Sequence, residues 1–141
     1  MKSLVALIAA ACVAGLVTPS QALAQRAAHG RGGLYNPQTV ETVSGEVIAV
    51  ERVAYGRRGS YGIHMLLKTR SGKLTVHLGP SRFMDRQSLK VEPRDVIEVT
   101  GSKVTYRGRP ALIAAEIKKG AEALTLRDAR GIPLWSRSRY R

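Results

Sequence analysis

Ile63-His64-Met65-Leu66-Leu67-Lys68-Thr69-Arg70-Ser71-Gly72-Lys73-Leu74-Thr75-Val76-His77-Leu78 is a pair of short apolar-rich runs on either side of a Ser-Gly step. Two alternating runs joined by such a pair form an antiparallel hairpin. With Ser71-Gly72 as the turn, Arg70 faces Lys73, Lys68 faces Thr75 and Leu66 faces His77, because opposite residues of an antiparallel pair share a face. One face then carries Ile63, Met65, Leu67, Leu74, Val76 and Leu78, all apolar, and is predicted to be core. The other carries His64, Leu66, Lys68, Arg70, Lys73, Thr75 and His77. A slip of one residue would mix the two sets, so the pattern itself supports this facing.

Working outward, Thr39 to Val53 alternates Val43, Val47, Val50 and Val53 with polar residues, and the rhythm slips near Gly45. A glycine inside a strand marks a bulge or bend, so a long, bent first strand is expected. The loop from Tyr55 to Gly62 is glycine-rich and basic. After the hairpin, Gly79-Pro80-Ser81 opens a short helix over residues 82–87, with Phe83 and Met84 turned inward. A fourth strand runs through Val96, Val99 and Val104 with a bend at Gly101. Tyr106 to Pro110 is a second hairpin turn, and Ala111 to Ile117 is the fifth strand. Strand, loop, hairpin, helix, strand, hairpin and strand is the plan of an all-β, five-stranded Greek-key barrel, the OB-fold, with a short helix between strands 3 and 4. Residues 39–120 form the barrel. Beyond it, residues 123–127 offer a sixth short strand, and 121–141 make a C-terminal extended arm in which Leu134 and Trp135 dock on the barrel ahead of the basic tail Arg137, Arg139 and Arg141.

The N-terminus reads as an export signal. Lys2 supplies the positive start, Leu4 to Val17 the apolar stretch, and Ala22-Leu23-Ala24 the small-x-small cleavage pattern, so residues 1–24 are expected to leave with cleavage after Ala24. The apolar stretch is shorter than the roughly 20 residues of a membrane span, so no integral membrane segment is expected in the mature chain and a periplasmic or secreted location follows. Residues 25–38, with Arg26, His29, Arg31 and three glycines, read as a flexible basic lead-in. The only cysteine, Cys12, lies in the signal, which excludes disulfides, thiolate metal sites and thiol nucleophiles from the mature chain. The whole chain carries a net charge of +13. The signal holds one basic residue and no acid, so the mature chain keeps +12, and an anionic partner is favoured.

The outer face of strands 2 and 3, with the loops after strand 1 and between strands 4 and 5, is where OB-folds bind. Here those regions hold Tyr55, Arg57, Arg58 and Tyr61, then His64, Lys68 and His77, then Tyr106, Arg107 and Arg109. Arginine takes phosphate or carboxylate through paired hydrogen bonds, and tyrosine offers a stacking face. These ten residues are the candidate ligand-binding set. His64 and His77 fall diagonally across the hairpin, close enough to share a ligand, but two histidines make an incomplete metal site and no metal or other cofactor is assigned. No Gly-x-Ser-x-Gly, His-Glu-x-x-His, phosphate loop or dinucleotide fingerprint occurs, so no catalytic residues are assigned and an enzyme is not expected.

Gly45-Glu46-Val47-Ile48-Ala49-Val50, the Gly72-Lys73 hairpin, Val76-His77-Leu78-Gly79-Pro80, Asp95 to Gly101 and Ala115-Glu116-Ile117 together resemble a bacterial OB-fold family of small exported stress-tolerance proteins. The resemblance covers the barrel and implies a periplasmic domain that binds a small or cationic ligand. Two features depart from it. The hairpin turn that tends to be acidic in that family is here Arg70-Ser71-Gly72-Lys73, and the Pro133-Leu134-Trp135 arm is extra. The expectation is therefore an exported, non-enzymatic binding module for an anionic ligand in the bacterial envelope. Two alternatives stay open: a single-stranded nucleic-acid-binding protein, and a structural accessory subunit of an envelope protein complex.

Overall fold

The computed structural model describes residues 34–56 and 58–137. The expected signal peptide, Cys12, the lead-in as far as residue 33, Arg57, and the tail arginines Arg139 and Arg141 lie outside the described residues. Among the described residues no helix is long and apolar enough to cross a membrane.

Among the described residues, six strands and two single-turn α-helices follow in chain order: β1 (Val40–Tyr55), β2 (Ser60–Thr69), β3 (Gly72–Pro80), α1 (Ser81–Met84), β4 (Val96–Tyr106), β5 (Arg109–Lys119), β6 (Glu122–Thr125) and α2 (Leu134–Arg137). Hydrogen bonding orders them β3-β2-β1-β4-β5-β6, and a parallel pairing of β3 with β5 closes the first five into a barrel. This is the OB-fold, all-β with α1 between β3 and β4 as the spacing predicts. β1 makes the closure possible. Its first half, Val40 to Glu46, pairs with β4, and its second half, Glu46 to Tyr55, pairs with β2. A strand serving two sheet halves must bend, and it does so where Gly45 lies against the Lys68 carbonyl and where the register shifts between Val47 and Ala49.

Alternation along the hairpin holds. Met65, Leu67, Val76 and Leu78 are buried in the core with Val47, Val99, Leu112 and Ile117. The turn sits one step earlier than predicted. Thr69 pairs with Gly72, and Lys68 with Lys73, so the two-residue turn is Arg70-Ser71. The Thr69 hydroxyl closes it, donating to the Gly72 carbonyl at 2.8 Å and accepting from the Ser71 N–H at 3.2 Å, while Gly72 takes φ of 116°. From His64 to Thr69 each residue moves past its expected partner by two places, which preserves its face, and a register shift follows between Ile63 and His64. One consequence is large: His64 stands directly opposite His77, not diagonal to it.

Two flanking segments pack more firmly than their composition suggests. Within the expected flexible lead-in, Tyr35 is buried and a 3-10 turn spans Pro37–Thr39. The Asn36 N–H donates to the buried Ser102 hydroxyl at 2.9 Å, which ties this segment to β4. At the other end, β6 extends β5, and the arm after it ends in the helical turn α2 instead of staying extended throughout. Arg127 lies over both the Tyr35 ring (5.4 Å) and the Trp135 ring (5.2 Å), so one guanidinium joins the two flanks.

Candidate ligand-binding face

β2 and β3 present His64 and His77 side by side, with ring centroids 4.0 Å apart and planes 24° from parallel. Tyr106, at the end of β4, meets His77 edge-on at 4.7 Å, and the Arg107 guanidinium lies 5.3 Å above the Tyr106 ring. Arg107 is held there by the turn, with φ of 49°, a left-handed conformation unusual for a side-chain-bearing residue. A hollow of about 360 Å³ lies over His64, His77, Tyr106, Arg107 and Arg109. A second, of about 510 Å³, shares His64, His77, Tyr106 and Arg107 and continues to Tyr55 and Trp135.

Burial disfavours the charged form of both imidazoles. Burial pushes the His77 pKa down to about 4, with the neighbouring His64 adding to the effect. Burial also lowers His64; Glu51, its cross-strand partner, opposes the shift and Arg107 reinforces it. His77 Nε2 is buried with no hydrogen-bond partner among the described residues. Among the described residues no group of three or more His, Cys, Asp or Glu is placed to hold a metal ion.

The depressed His77 pKa sets a pH dependence. Unfolded, the ring takes a proton near 6.5; folded, it takes one only near 4, so between these values the unfolded chain binds more protons. Its contribution is complete above about pH 6.5 and is lost as pH falls towards 4. Allowing for solvent screening of a half-exposed ring, roughly 1–2 kcal/mol should disappear across that window. Urea titrations of the wild type and of His77→Gln, which cannot titrate there, give the check: the stability difference between them should shift towards the variant on acidification. A constant difference would contradict the assignment.

Of the ten residues picked from sequence, Tyr55, Tyr61, His64, His77, Tyr106, Arg107 and Arg109 line hollows on this face. Arg58 is exposed in the β1–β2 loop with φ of 68° and lines none of these three hollows. Lys68 sits near the far end of the hairpin opposite Lys73, away from the histidines, and also lines none. Sequence reasoning missed Trp135, Arg82 and Arg86. They line a third hollow of about 560 Å³, with Tyr55, Tyr61 and Phe83, that adjoins the second. A signal existed for the arginines: four residues apart in a predicted helix, they share a face, and Phe83 between them turns inward. Trp135 reaches the face because Gly79, at φ of 155°, leaves room beneath it; a Cβ there would come within 2.9 Å of the indole.

No curated protein matches the chain. Among solved structures, it is similar to the N-terminal domain of PriB protein from Thermoanaerobacter tencongensis, described as dimeric. The identity is 16%, covering 60% of this chain and 99% of that one, with a TM-score of 0.44. A family model, that of the MamS/MamX magnetosome proteins, matches residues 39–124. The match takes in the whole barrel, β6 as far as Leu124, and every ligand-face residue except those of α2. With more than half of its sequence matched, the chain belongs to the MamS/MamX magnetosome protein family.

Proposed function

We propose that this protein is a non-enzymatic OB-fold module of the bacterial envelope that binds anionic groups on the face formed by His64, His77, Tyr106, Arg107 and Arg109. The convergence of the β2–β3 face and the β4–β5 turn on adjoining hollows supports this most strongly, because Arg107 and Arg109 then line one hollow beside the histidine pair. No described carboxylate lines either hollow, and the high net charge of the chain favours the same partners. The export signal read from residues 1–24 and membership of a magnetosome protein family both suit an envelope-associated accessory role. In that role the anionic group belongs to a neighbouring envelope component, and the accessory-subunit alternative becomes a statement about who presents the ligand.

Trp135 is the only tryptophan, and it lines the second hollow, so its emission reports occupancy. Titrating the protein with pyrophosphate and citrate should give saturable changes in emission that weaken as salt is raised. The double variant Arg107→Glu/Arg109→Glu should bind about tenfold or more weakly, since two attractive contacts become repulsive. Unchanged affinity in that variant would sink the proposal.

A further inference from the structure

We infer that the ligand is an extended acidic peptide segment, lying along a furrow that runs from Arg109 past the histidine pair and Trp135 to Arg82 and Arg86. The inference rests on the anion-binding reading above and adds the length and class of the ligand. The three hollows adjoin in sequence. The first and second share His64, His77, Tyr106 and Arg107; the second and third share Tyr55, Pro80 and Trp135. A compact anion would fill one of them. A chain of several residues is needed to engage both arginine pairs, which sit in the two outer hollows.

Charge along the furrow has one sign. Its described lining contains Arg82, Arg86, Arg107 and Arg109 and no carboxylate. The hollow on the other side of α1, about 290 Å³, is lined by Glu51, Asp85 and Glu92 as well as Arg52 and Lys90. The basic character therefore belongs to this track and is not a uniform property of the surface.

Ring geometry separates a peptide from a single-stranded nucleic acid. Base binding uses free aromatic faces in succession. Here His64 and His77 are stacked on each other, Tyr106 has Arg107 over its ring, and Trp135 has Arg127 over its ring with Phe83 at 5.2 Å. Tyr55 and Tyr61 are the two exposed rings of the track, at 51% and 43%. Carboxylates require no ring face, only the arginines.

The test compares diglutamate with an oligo-glutamate of about eight residues, which extended spans roughly 26 Å. Both are titrated into the wild type and into Arg82→Glu/Arg86→Glu, with Trp135 emission and calorimetry as readouts. Arg82 and Arg86 are exposed, so the variant should keep its circular dichroism and melting temperature. The wild type should bind the longer peptide about tenfold or more tightly than diglutamate. The variant should lose most of the gain with length. No gain with length in the wild type, or a gain kept by the variant, overturns the inference while leaving anion binding at Arg107 and Arg109 intact. Tighter binding of an oligothymidylate of matched charge at the same salt also overturns it, in favour of nucleic acid. If instead Arg107→Glu/Arg109→Glu binds diglutamate as well as the wild type, the underlying anion site is what fails.

Discussion

A valine at position 101 is expected to cost the barrel about 3 kcal/mol or more, because a side chain there has nowhere to go. Gly101 is buried in β4 at the point where its register with β5 shifts, between Thr100 and Gly101. A Cβ would run into the Ile113 carbonyl oxygen and lie 2.9 Å from Ala114 Cα. Both are backbone atoms, so no rotamer change relieves the overlap and β4 and β5 must separate. Urea unfolding followed by circular dichroism measures the loss. Gly62→Ala is the control: its new methyl would meet Tyr55 ring carbons at 3.5 Å, an ordinary contact, and stability should change by less than about 1 kcal/mol. A Gly101→Val midpoint close to that of the control would show that the strand pair is not as tightly apposed as the geometry requires.

Leu112→Ala should remove about 2.5–5 kcal/mol and loosen the ligand face with it. Leu112 is fully buried and pairs with Val76 at the centre of the short parallel ladder that joins β3 to β5. That ladder has three rungs, Thr75–Ala111, Val76–Leu112 and His77–Ile113, and it alone pairs β3 with β5. A cavity at the middle rung therefore weakens a closure with little redundancy. His77 belongs to the adjacent rung, so affinity for pyrophosphate should fall along with stability. Leu124→Ala, at the β5–β6 edge and still buried, should lower stability without that loss of binding. Equal binding losses in the two variants would show that β3–β5 closure does not position the histidines.

Much of this was legible in the sequence because strand periodicity is local. Alternation alone sorted Met65, Leu67, Val76 and Leu78 from His64 and His77, and a turn displaced by one step could not undo the sorting, because side-chain direction depends on whether a position is odd or even. Pairing is a different quantity. The Thr69 hydroxyl, by closing the turn at Arg70-Ser71, changed which residues face each other and set two imidazoles in contact. The arginine at 107 was equally visible as a charge in a loop. Its position over Tyr106 was not, since it depends on where the β4–β5 turn leaves it.

By itself the sequence determined the strand order, the apolar face, the bends at Gly45 and Gly101 and the basic character of the chain, all of which follow from residue type and near-neighbour spacing. Tertiary structure alone decided that Arg82, Arg86 and Trp135 line hollows that adjoin those of His64 and His77, that Lys68 lines none of them, and that Tyr35 is bound into the fold through Arg127 and β4. The reason is physical: a strand's facing is set within a few residues, whereas closing a barrel brings together positions tens of residues apart, and only the packed core determines which of them meet.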